Sequence, residues 1–298
     1  MKTKSGFVTI AGRPNVGKST LMNRLIGENL SIITDKPQTT RKRILGILSE
    51  ENYQIIFLDT PGMLNPKYLL QEKLVEYIKL SLKDADVIVF MITIKDLMKE
   101  EKFYESEDFQ KMILKSKKPV ILVINKVDLT NSDRIGSAIS LLEKENIFKR
   151  IIPVSATEGY NVSYVLDTII EFLPEHPKYY PDDQLTTETE RFFVSEKIRE
   201  KILEIFHDEI PYSVEVYIEE FKERAKGKDY ISAVIVVERN SQKPIILGKK
   251  GAKIKKLGNL ARKSIEDFLG REIYLELRVK VSENWRKNER ELKNFGYD

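Results

Sequence analysis

The chain has 298 residues, of which 41% are hydrophobic and 32% are charged, and its formal net charge is +4. This length is sufficient for two domains, each with a hydrophobic core. The sequence has no cysteine, which excludes disulfides and thiolate metal sites, and no apolar run of the roughly 18 residues that a transmembrane helix requires. The first five residues lead directly into a predicted strand and have no signal-peptide character, so we expect a cytoplasmic protein.

A phosphate-binding loop is predicted near the start of the chain. The predicted strand 7–11 leads into an octet of the pattern G-x-x-x-x-G-K-S, and a predicted helix at 18–27 follows. In this arrangement backbone N–H groups and the helix N-terminus bind the phosphates of a nucleoside triphosphate. We expect Lys18 to contact the β- and γ-phosphates and the Ser19 hydroxyl to bind Mg²⁺. The predicted phosphate-binding residues are Gly12, Asn15, Val16, Gly17, Lys18, Ser19 and Thr20.

Two later segments are predicted to sense the γ-phosphate. The predicted strand 53–58 runs into Asp59-Thr60-Pro61-Gly62, in which Asp59 has the position of a Mg²⁺-binding carboxylate and Gly62 has that of a glycine whose N–H contacts the γ-phosphate. The other segment is polar and lies between the phosphate-binding loop and this strand. It contains Thr39 and Thr40, one of which we expect to close on Mg²⁺ and the γ-phosphate. The sequence does not decide between them, and we favour Thr40 because it borders an arginine. The predicted catalytic residues are Lys18, Thr40 and Gly62.

Met63 follows this motif, where the best-known small GTPases have a glutamine that orients the attacking water. A thioether cannot orient water, so we expect slow intrinsic hydrolysis that a partner or an ion stimulates. Asn15 is a candidate ligand for K⁺ in place of an arginine finger. The alternative is that Asn15 only stabilises the loop, and the sequence leaves both open.

Specificity for guanine is predicted from two strand ends. The predicted strand 119–124 ends in Asn125-Lys126-Val127-Asp128, where the Asp128 carboxylate can accept hydrogen bonds from N1–H and the 2-amino group of guanine. Adenine lacks this pair of donors, so the site should reject ATP. Asn125 should brace the phosphate loop, and the Lys126 stem should cover the base. The predicted strand 151–154 ends in Ser155-Ala156, where the Ala156 N–H should donate to guanine O6. GTP or GDP with Mg²⁺ is the expected ligand.

The alternation of predicted strands and helices in the first part of the chain indicates an α/β domain. Its six-stranded sheet should be mostly parallel and covered by helices on both faces. Further strands are predicted at 43–49 and 86–92, and the first of these forms an antiparallel hairpin with 53–58 because only three residues join them. Further helices are predicted near 71–83, 100–116, 132–145 and 161–172. The predicted boundaries are a GTP-binding domain at 1–175, a proline-rich linker at 176–190 and a second domain at 191–298.

The second domain predicts the element order of a type II KH domain, α-β-β-α-α-β. A G-x-x-G loop, Gly248-Lys249-Lys250-Gly251, lies between its two adjacent helices, and its glycines allow close approach to a phosphodiester chain. The remaining elements are predicted at 195–207, 212–220, 230–238, 252–269 and 273–281. The tail from residue 282 is a candidate short amphipathic helix that either caps the domain or supplies an aromatic side chain to a bound nucleic acid, and we favour Trp285 as a packing anchor.

The charge of the second domain indicates a polyanionic partner. Residues 191–298 have 24 Lys and Arg against 19 Asp and Glu, and the stretch 239–263 has nine basic residues and no acidic one. Together with the KH pattern, this predicts binding of single-stranded RNA. Three alternatives stay open: a basic helical hairpin without RNA, a second domain that binds protein, and an RNA-binding module that does not hydrolyse nucleotide. The predicted RNA-contact residues are Ile246, Gly248, Lys249, Lys250, Gly251, Lys253, Ile254 and Lys256.

These motifs together resemble the Era family of bacterial GTPases over essentially the whole chain. The resemblance rests on residues 12–19, 36–41, 59–62, 125–128, 155–156, 246–254 and 284–297. It implies binding of small-subunit ribosomal RNA near its 3′ end, a role in 30S subunit maturation, and peripheral association with the inner face of the plasma membrane. We expect a monomer. A hydrophobic residue at the position of Met63 is typical of this wider group.

Overall fold

The computed structural model describes residues 3–99 and 103–297. The internal contacts divide the chain into two units. The first unit comprises the residues up to Asn65 together with Leu74–Thr187, and the second comprises Pro66–Lys73 together with the residues from Glu188 onward.

The first unit is built on a six-stranded sheet of order β2-β3-β1-β4-β5-β6. All neighbours are parallel except β2 and β3, which form the predicted antiparallel hairpin. Helices cover both faces of the sheet, so its central strands β4 and β5 are almost entirely apolar, and every residue of β4 is buried. The strands are β1 Lys4–Gly12, β2 Ile44–Glu50, β3 Tyr53–Asp59, β4 Val87–Thr93, β5 Val120–Asn125 and β6 Arg150–Pro153. This confirms the predicted fold class of the first domain.

The helices of the first unit follow the strands in the predicted alternation, with one difference. In place of the single helix predicted near 100–116, the structure has one short helix between two 3₁₀ turns, and a further short helix, Ile94–Lys99, precedes this range. Residues 100–102 lie outside the described part. A new helix begins at Glu107 because the Ser106 hydroxyl accepts a hydrogen bond from the Phe109 N–H. The helices are α1 Lys18–Ile26, α2 Leu69–Asp84, α3 Ile94–Lys99, α4 Glu107–Met112, α5 Ser132–Lys144 and α6 Val162–Phe172.

The segment predicted as a linker lies along the first unit's sheet. Because β2 is an edge strand, its outer backbone groups need partners. The Ile47 N–H donates to Leu185 O at 2.8 Å, and Thr186 pairs with Gly46. The buried Gln54 side chain on β3 also accepts hydrogen bonds from the N–H groups of Tyr179 and Tyr180.

The second unit has a three-stranded sheet of order β7-β8-β9, in which β8 pairs antiparallel with β7 and parallel with β9. Its core packs α7 and α10 against one face of this sheet. The first helix starts at Glu190 rather than at the predicted residue 195, because Thr189 caps it. The elements are α7 Glu190–Ile205, α8 Ile210–Ser213, β7 Val214–Lys222, β8 Asp229–Val237, α9 Gln242–Leu247, α10 Ala252–Leu269, β9 Ile273–Val281 and α11 Glu289–Asn294. Apart from the short α8, this is the predicted KH order.

The tail after β9 packs against the second unit. The Trp285 side chain is fully buried, and its Nε1–H donates to Ser213 O at 3.0 Å. Across residues 3–99 and 103–297, no helix combines the length and apolar character needed to cross a bilayer.

Candidate functional site

The loop between β1 and α1 has a shape that only glycine permits at its end. Gly17 has φ 99°, and a Cβ at this position would lie 2.3 Å from Asn125 Nδ2. The Lys18 ammonium donates to Arg13 O at 3.1 Å and lies 3.4 Å from Gly12 O. Burial lowers the pKa of Lys18 to about 8, and the negative charge of Asp59 opposes this shift. A phosphate would offer this buried ammonium a better partner than two carbonyl groups.

Three oxygen-bearing side chains converge beside Lys18. The Ser19 hydroxyl donates to Asp59 Oδ2 at 2.8 Å, and the Thr40 hydroxyl lies 3.1 Å from Ser19 Oγ and 3.3 Å from Asp59 Oδ2. Within the described part of the chain, the buried Asp59 Oδ1 has no hydrogen-bond partner. Burial raises the pKa of the Asp59 carboxyl, while Lys18 and the hydroxyl groups oppose that shift. An unpartnered buried carboxylate oxygen beside two hydroxyls fits a hard cation such as Mg²⁺.

The structure separates Thr39 from Thr40, which the sequence could not do. The Thr39 hydroxyl donates to Lys36 O at 2.6 Å and lies 2.7 Å from Thr34 Oγ1. It is the Thr40 hydroxyl that lies beside Ser19 and Asp59. Asn15 adds a tie between the two loops, because its Nδ2 donates to Asp35 O at 2.8 Å. Thr20 lines the pocket that Lys18, Ser19 and Thr40 also line, which we call the phosphate pocket.

The segment after Asp59 packs closely on the phosphate loop. A Cβ at Gly62 would lie 2.6 Å from Pro14 N, so any side chain there collides with backbone. The Met63 N–H donates to Gly12 O at 3.0 Å. The Met63 side chain lines a separate cavity of about 230 Å³, whose walls include Leu64, Phe90, Phe103 and Phe109. The thioether therefore contributes no polar group to the phosphate pocket.

The predicted base-recognition residues lie at the ends of β5 and β6. Asn125 Nδ2 donates to Val16 O at 2.8 Å, and Asn125 Oδ1 accepts from the Ala156 N–H at 3.0 Å. One amide thus ties the phosphate loop to the loop that contains Ser155. The Ala156 N–H is engaged inside the protein here, so its contact with guanine O6 stays a prediction. Asp128 is exposed in a 3₁₀ turn that follows Lys126, whose φ is 61°.

The G-x-x-G loop has the geometry for which its glycines were singled out. Gly248, Lys250 and Gly251 all have positive φ, and a Cβ at Gly248 would lie 2.9 Å from Lys253 N. Lys249 and Lys250 are exposed at its tip.

Beyond this loop, α10 and β9 border an open cavity of about 450 Å³. Ile254 is the predicted RNA-contact residue that lines it. Lys253 and Lys256 are exposed, but the Lys253 ammonium lies 5.8 Å from the centre of the Phe206 ring rather than in the cavity. The side chain of Ile246 is fully buried in the core, which corrects its prediction as a surface contact.

Sequence reasoning missed most of the cavity lining. Ile254, Gly258 and Arg262 are four residues apart and lie on one face of α10. The opposite wall comes from β9, where Ile273, Leu275 and Leu277 alternate along the strand and Tyr274 also contributes. Extending the helical period from Ile254 would have found the first group. The missed residues are Lys228, Lys255, Gly258, Asn259, Arg262, Ile273, Tyr274, Leu275 and Leu277.

Comparison with known proteins assigns the family. Residues 7–126 match the family described as 50S ribosome-binding GTPase, and residues 209–286 match the KH domain. GTPase Era of Alkaliphilus metalliredigens is 45% identical over 300 residues and covers 100% of both chains. GTPase Era of Staphylococcus haemolyticus is 45% identical over 294 residues, which span 99% of this chain and 97% of the relative.

The chain belongs to the Era family of GTPases.

Solved Era structures support the same assignment. The fold matches that of an Era variant from Aquifex aeolicus bound to GDP and AlF₄⁻ with a TM-score of 0.94, at 40% identity and 99% coverage of both chains. It matches Era in complex with MgGDPNP and nucleotides 1506–1542 of 16S ribosomal RNA with a TM-score of 0.94, at 41% identity and 99% coverage of both chains. As an Era-family protein, this chain is a GTPase with a C-terminal KH domain.

Proposed function

We propose that this GTPase binds single-stranded small-subunit ribosomal RNA near its 3′ end and couples GTP binding and hydrolysis to maturation of the 30S subunit. The observation that carries the RNA part is the cavity between α10 and β9. It has an apolar floor that includes Ile254 and Leu277 and cationic side chains that include Lys255 and Arg262. The G-x-x-G loop directly precedes α10, which forms one of its walls. The Era structure that contains nucleotides 1506–1542 of 16S RNA supports this choice of RNA.

In the proposed nucleotide site, Ser19, Thr40 and Asp59 hold Mg²⁺, which neutralises charge on the phosphates when bound. Lys18 balances the charge that develops on the β- and γ-phosphates, and the loop N–H groups hold the phosphate oxygens. The Gly62 N–H senses the γ-phosphate. Asn125 fixes the loop that presents the base site, and the exposed Asp128 carboxylate accepts from guanine.

Slow intrinsic turnover follows from the position of Met63. Its side chain lines the apolar cavity beside Phe90 rather than the phosphate pocket, so it cannot hold the attacking water. We further propose K⁺ at Asn15. The Asn15 nitrogen is anchored to Asp35 O, which makes the side-chain oxygen the candidate cation ligand. Equal rates of phosphate release in potassium and sodium buffers would leave Asn15 with its loop contact alone.

The family resemblance is the support for two further proposals. The protein is a monomer, and it is cytoplasmic with peripheral association at the inner face of the plasma membrane. Sedimentation of the purified protein tests the first, and co-flotation with vesicles of bacterial lipids tests the second.

A fragment with the sequence of nucleotides 1506–1542 tests the central proposal. We expect GDPNP-loaded protein to bind this fragment more tightly than it binds a scrambled strand of equal length. In a separate assay with GTP, the fragment should stimulate phosphate release. The paired variant Lys249→Glu, Lys250→Glu should lose binding while it retains GDP affinity. Equal binding of both strands, with no stimulation of hydrolysis, would favour a second domain that binds protein.

A further inference from the structure

We call residues 62–73, which start at the glycine predicted to sense the γ-phosphate, the switch, and part of this segment belongs by its contacts to the KH unit. Residues Pro66–Lys73 begin four positions after Gly62, yet their contacts place them in the second unit. The segment includes the first turn of α2. Its start is fixed by Tyr68, whose carbonyl oxygen accepts hydrogen bonds from the N–H groups of Gln71 and Glu72.

The Tyr68 side chain contacts a single arginine of that unit in two ways. Arg286 Nη1 donates to the Tyr68 hydroxyl at 3.3 Å, and the guanidinium carbon lies 4.8 Å from the ring centre. This is a stacked cation–π contact with a hydrogen bond at its edge. Tyr68 is half-buried, and the Arg286 guanidinium lies over its ring.

Arg286 in turn binds Glu238, the residue that follows β8. Its Nε donates to Glu238 Oε2 at 3.0 Å, and its Nη2 pairs with the same oxygen. Glu238 is buried. The N–H groups of Glu238 and Arg239 both donate to Gln242 Oε1 at 2.9 Å.

Gln242 connects this network to the G-x-x-G loop. It is the first residue of α9, which ends at Leu247, immediately before Gly248. Its Nε2 donates to Ser213 Oγ at 3.0 Å, so the start of α9 is held by side chains on both sides. A continuous series of contacts therefore leads from Tyr68 through Arg286 and Glu238 to the helix that presents the loop.

We propose that Tyr68 and Arg286 are positioning residues that couple the nucleotide state of the switch to RNA affinity. The proposal rests on the proposed function, in which Gly62 senses the γ-phosphate and the KH domain binds RNA. A nucleotide can shift RNA affinity only through contacts that differ between its two states. The Tyr68–Arg286 contact occurs here together with the arrangement in which Thr40 contacts Ser19 and Asp59, which is the arrangement that Mg²⁺ and the γ-phosphate favour. We therefore assign the contact to the GTP state.

Coupling of this kind is reciprocal, which gives two independent measurements. In the wild type we expect the 16S fragment to bind the GDPNP-loaded protein about 5–150-fold more tightly than the GDP-loaded protein. The same factor should appear as tighter GDPNP binding in the presence of the fragment. Tyr68→Leu removes both the ring and the hydroxyl, and should bring both ratios close to one. Its RNA affinity in the GDP state should stay within about twofold of wild type.

Two further variants distinguish a positioning role from general destabilisation. Tyr68→Phe retains the stacked ring and should retain most of the coupling, whereas Arg286→Lys loses the stacking plane and should behave like Tyr68→Leu. Tyr164→Leu, at an exposed tyrosine of α6, is the matched control and should leave both ratios unchanged. Unfolding midpoints of all variants show that each is folded at the assay temperature.

The outcomes separate the two proposals. If the wild type binds the fragment no better than a scrambled strand in either state, the proposed function is wrong and this relay with it. If the wild type binds the fragment selectively and Tyr68→Leu keeps the wild-type ratio, the relay alone is wrong. A ratio of one in the wild type also overturns the relay and leaves RNA binding intact.

Discussion

Close contacts with neighbouring backbone limit which side chains fit at single positions of the nucleotide site, and Gly62 is the clearest case. A Cβ at Gly62 would lie 2.6 Å from Pro14 N and 2.7 Å from Pro14 Cα. Both are main-chain atoms of the phosphate loop. We predict that Gly62→Ala displaces the Gly62 N–H and lowers GTP hydrolysis by about 10²–10³-fold, as does loss of one preorganised donor in other enzymes.

Phosphate release and GDP titration together test this prediction. GDP affinity should change by less than a few fold, because GDP lacks the γ-phosphate that Gly62 contacts. Gly136→Ala is the matched control, since a Cβ at that position in α5 meets nothing within 4 Å. A hydrolysis rate in Gly62→Ala that equals the rate in Gly136→Ala would show that the close approach has no consequence.

Lys18 gives nucleotide binding a pH dependence with a defined sign. Burial lowers the pKa of Lys18 to about 8 in the free protein, and bound phosphates raise it again. Below this pH the ammonium is already protonated, so the group adds no pH dependence. Above about pH 8, binding must take up a proton, and GDP affinity should fall by up to about tenfold per pH unit.

Titrations with GDP on both sides of pH 8 check this slope. Guanosine is the control ligand because it shares the base, and therefore any titration of the base, but has no phosphates. Its affinity should lack the component that belongs to Lys18. Parallel slopes for GDP and guanosine would assign the pH dependence to the base.

The motifs could point to these residues because their geometry is local. The G-x-x-x-x-G-K-S octet, with its positive φ at Gly17, fixes the phosphate loop almost without reference to the rest of the fold. The choice between Thr39 and Thr40 was not local. It depends on which hydroxyl faces Asp59, which lies 19 residues beyond Thr40 in the chain.

At the scale of elements, apolar periodicity predicted every strand of both sheets to within a few residues. The region from 94 to 116 was harder, because the aromatic side chains of Phe90, Phe103 and Phe109 pack together and their packing overrides helical period. The KH cavity was harder still. Its two walls, on α10 and β9, are brought together by the parallel pairing of β8 with β9, which no short-range pattern records.

The segment along β2 offers a test at this scale. The Gln54 side chain is fully buried and makes four hydrogen bonds, including those from Tyr179 N and Tyr180 N at 2.8 and 3.0 Å. Gln54→Leu leaves these two N–H groups without their acceptor. We predict a loss of about 1–3 kcal/mol in unfolding free energy, since each buried unpaired group is costly.

Denaturant unfolding and limited proteolysis measure the two consequences. Cleavage near Lys178 should accelerate in Gln54→Leu, because the same hydrogen bonds hold this segment. Gln110→Leu provides the comparison, since within the described residues the side chain of this glutamine donates one hydrogen bond, to Tyr104 O. Proteolysis at the wild-type rate would show that the segment is held by Leu185 and Thr186 without Gln54.

Over the whole molecule, the charge is placed where the proposed RNA binds. The first 190 residues have 26 basic and 27 acidic side chains, whereas the second part has a net charge of +5. Much of that excess lies between Arg239 and Lys263, in the elements that border the KH cavity. Sequence alone could identify this block, but not that residues 66–73 belong by their contacts to the same unit, since nothing in their composition records it.

This placement predicts how RNA affinity depends on salt. The described loop and cavity have five cationic side chains: Lys228, Lys249, Lys250, Lys255 and Arg262. Each phosphate that they neutralise contributes about −0.7 to the slope of log affinity against log salt for a single strand. We therefore expect a slope of about −3.5 for the 16S fragment on GDPNP-loaded protein. Lys249→Gln with Lys250→Gln should reduce its magnitude by about 1.4. Lys280→Gln, on the face of β9 opposite to Leu275 and Leu277, should leave it unchanged. If RNA affinity depended only on net charge, the loss of any lysine would change the slope equally. A slope that follows the number of lysines removed, regardless of their position, would therefore contradict this assignment of the RNA to the cavity.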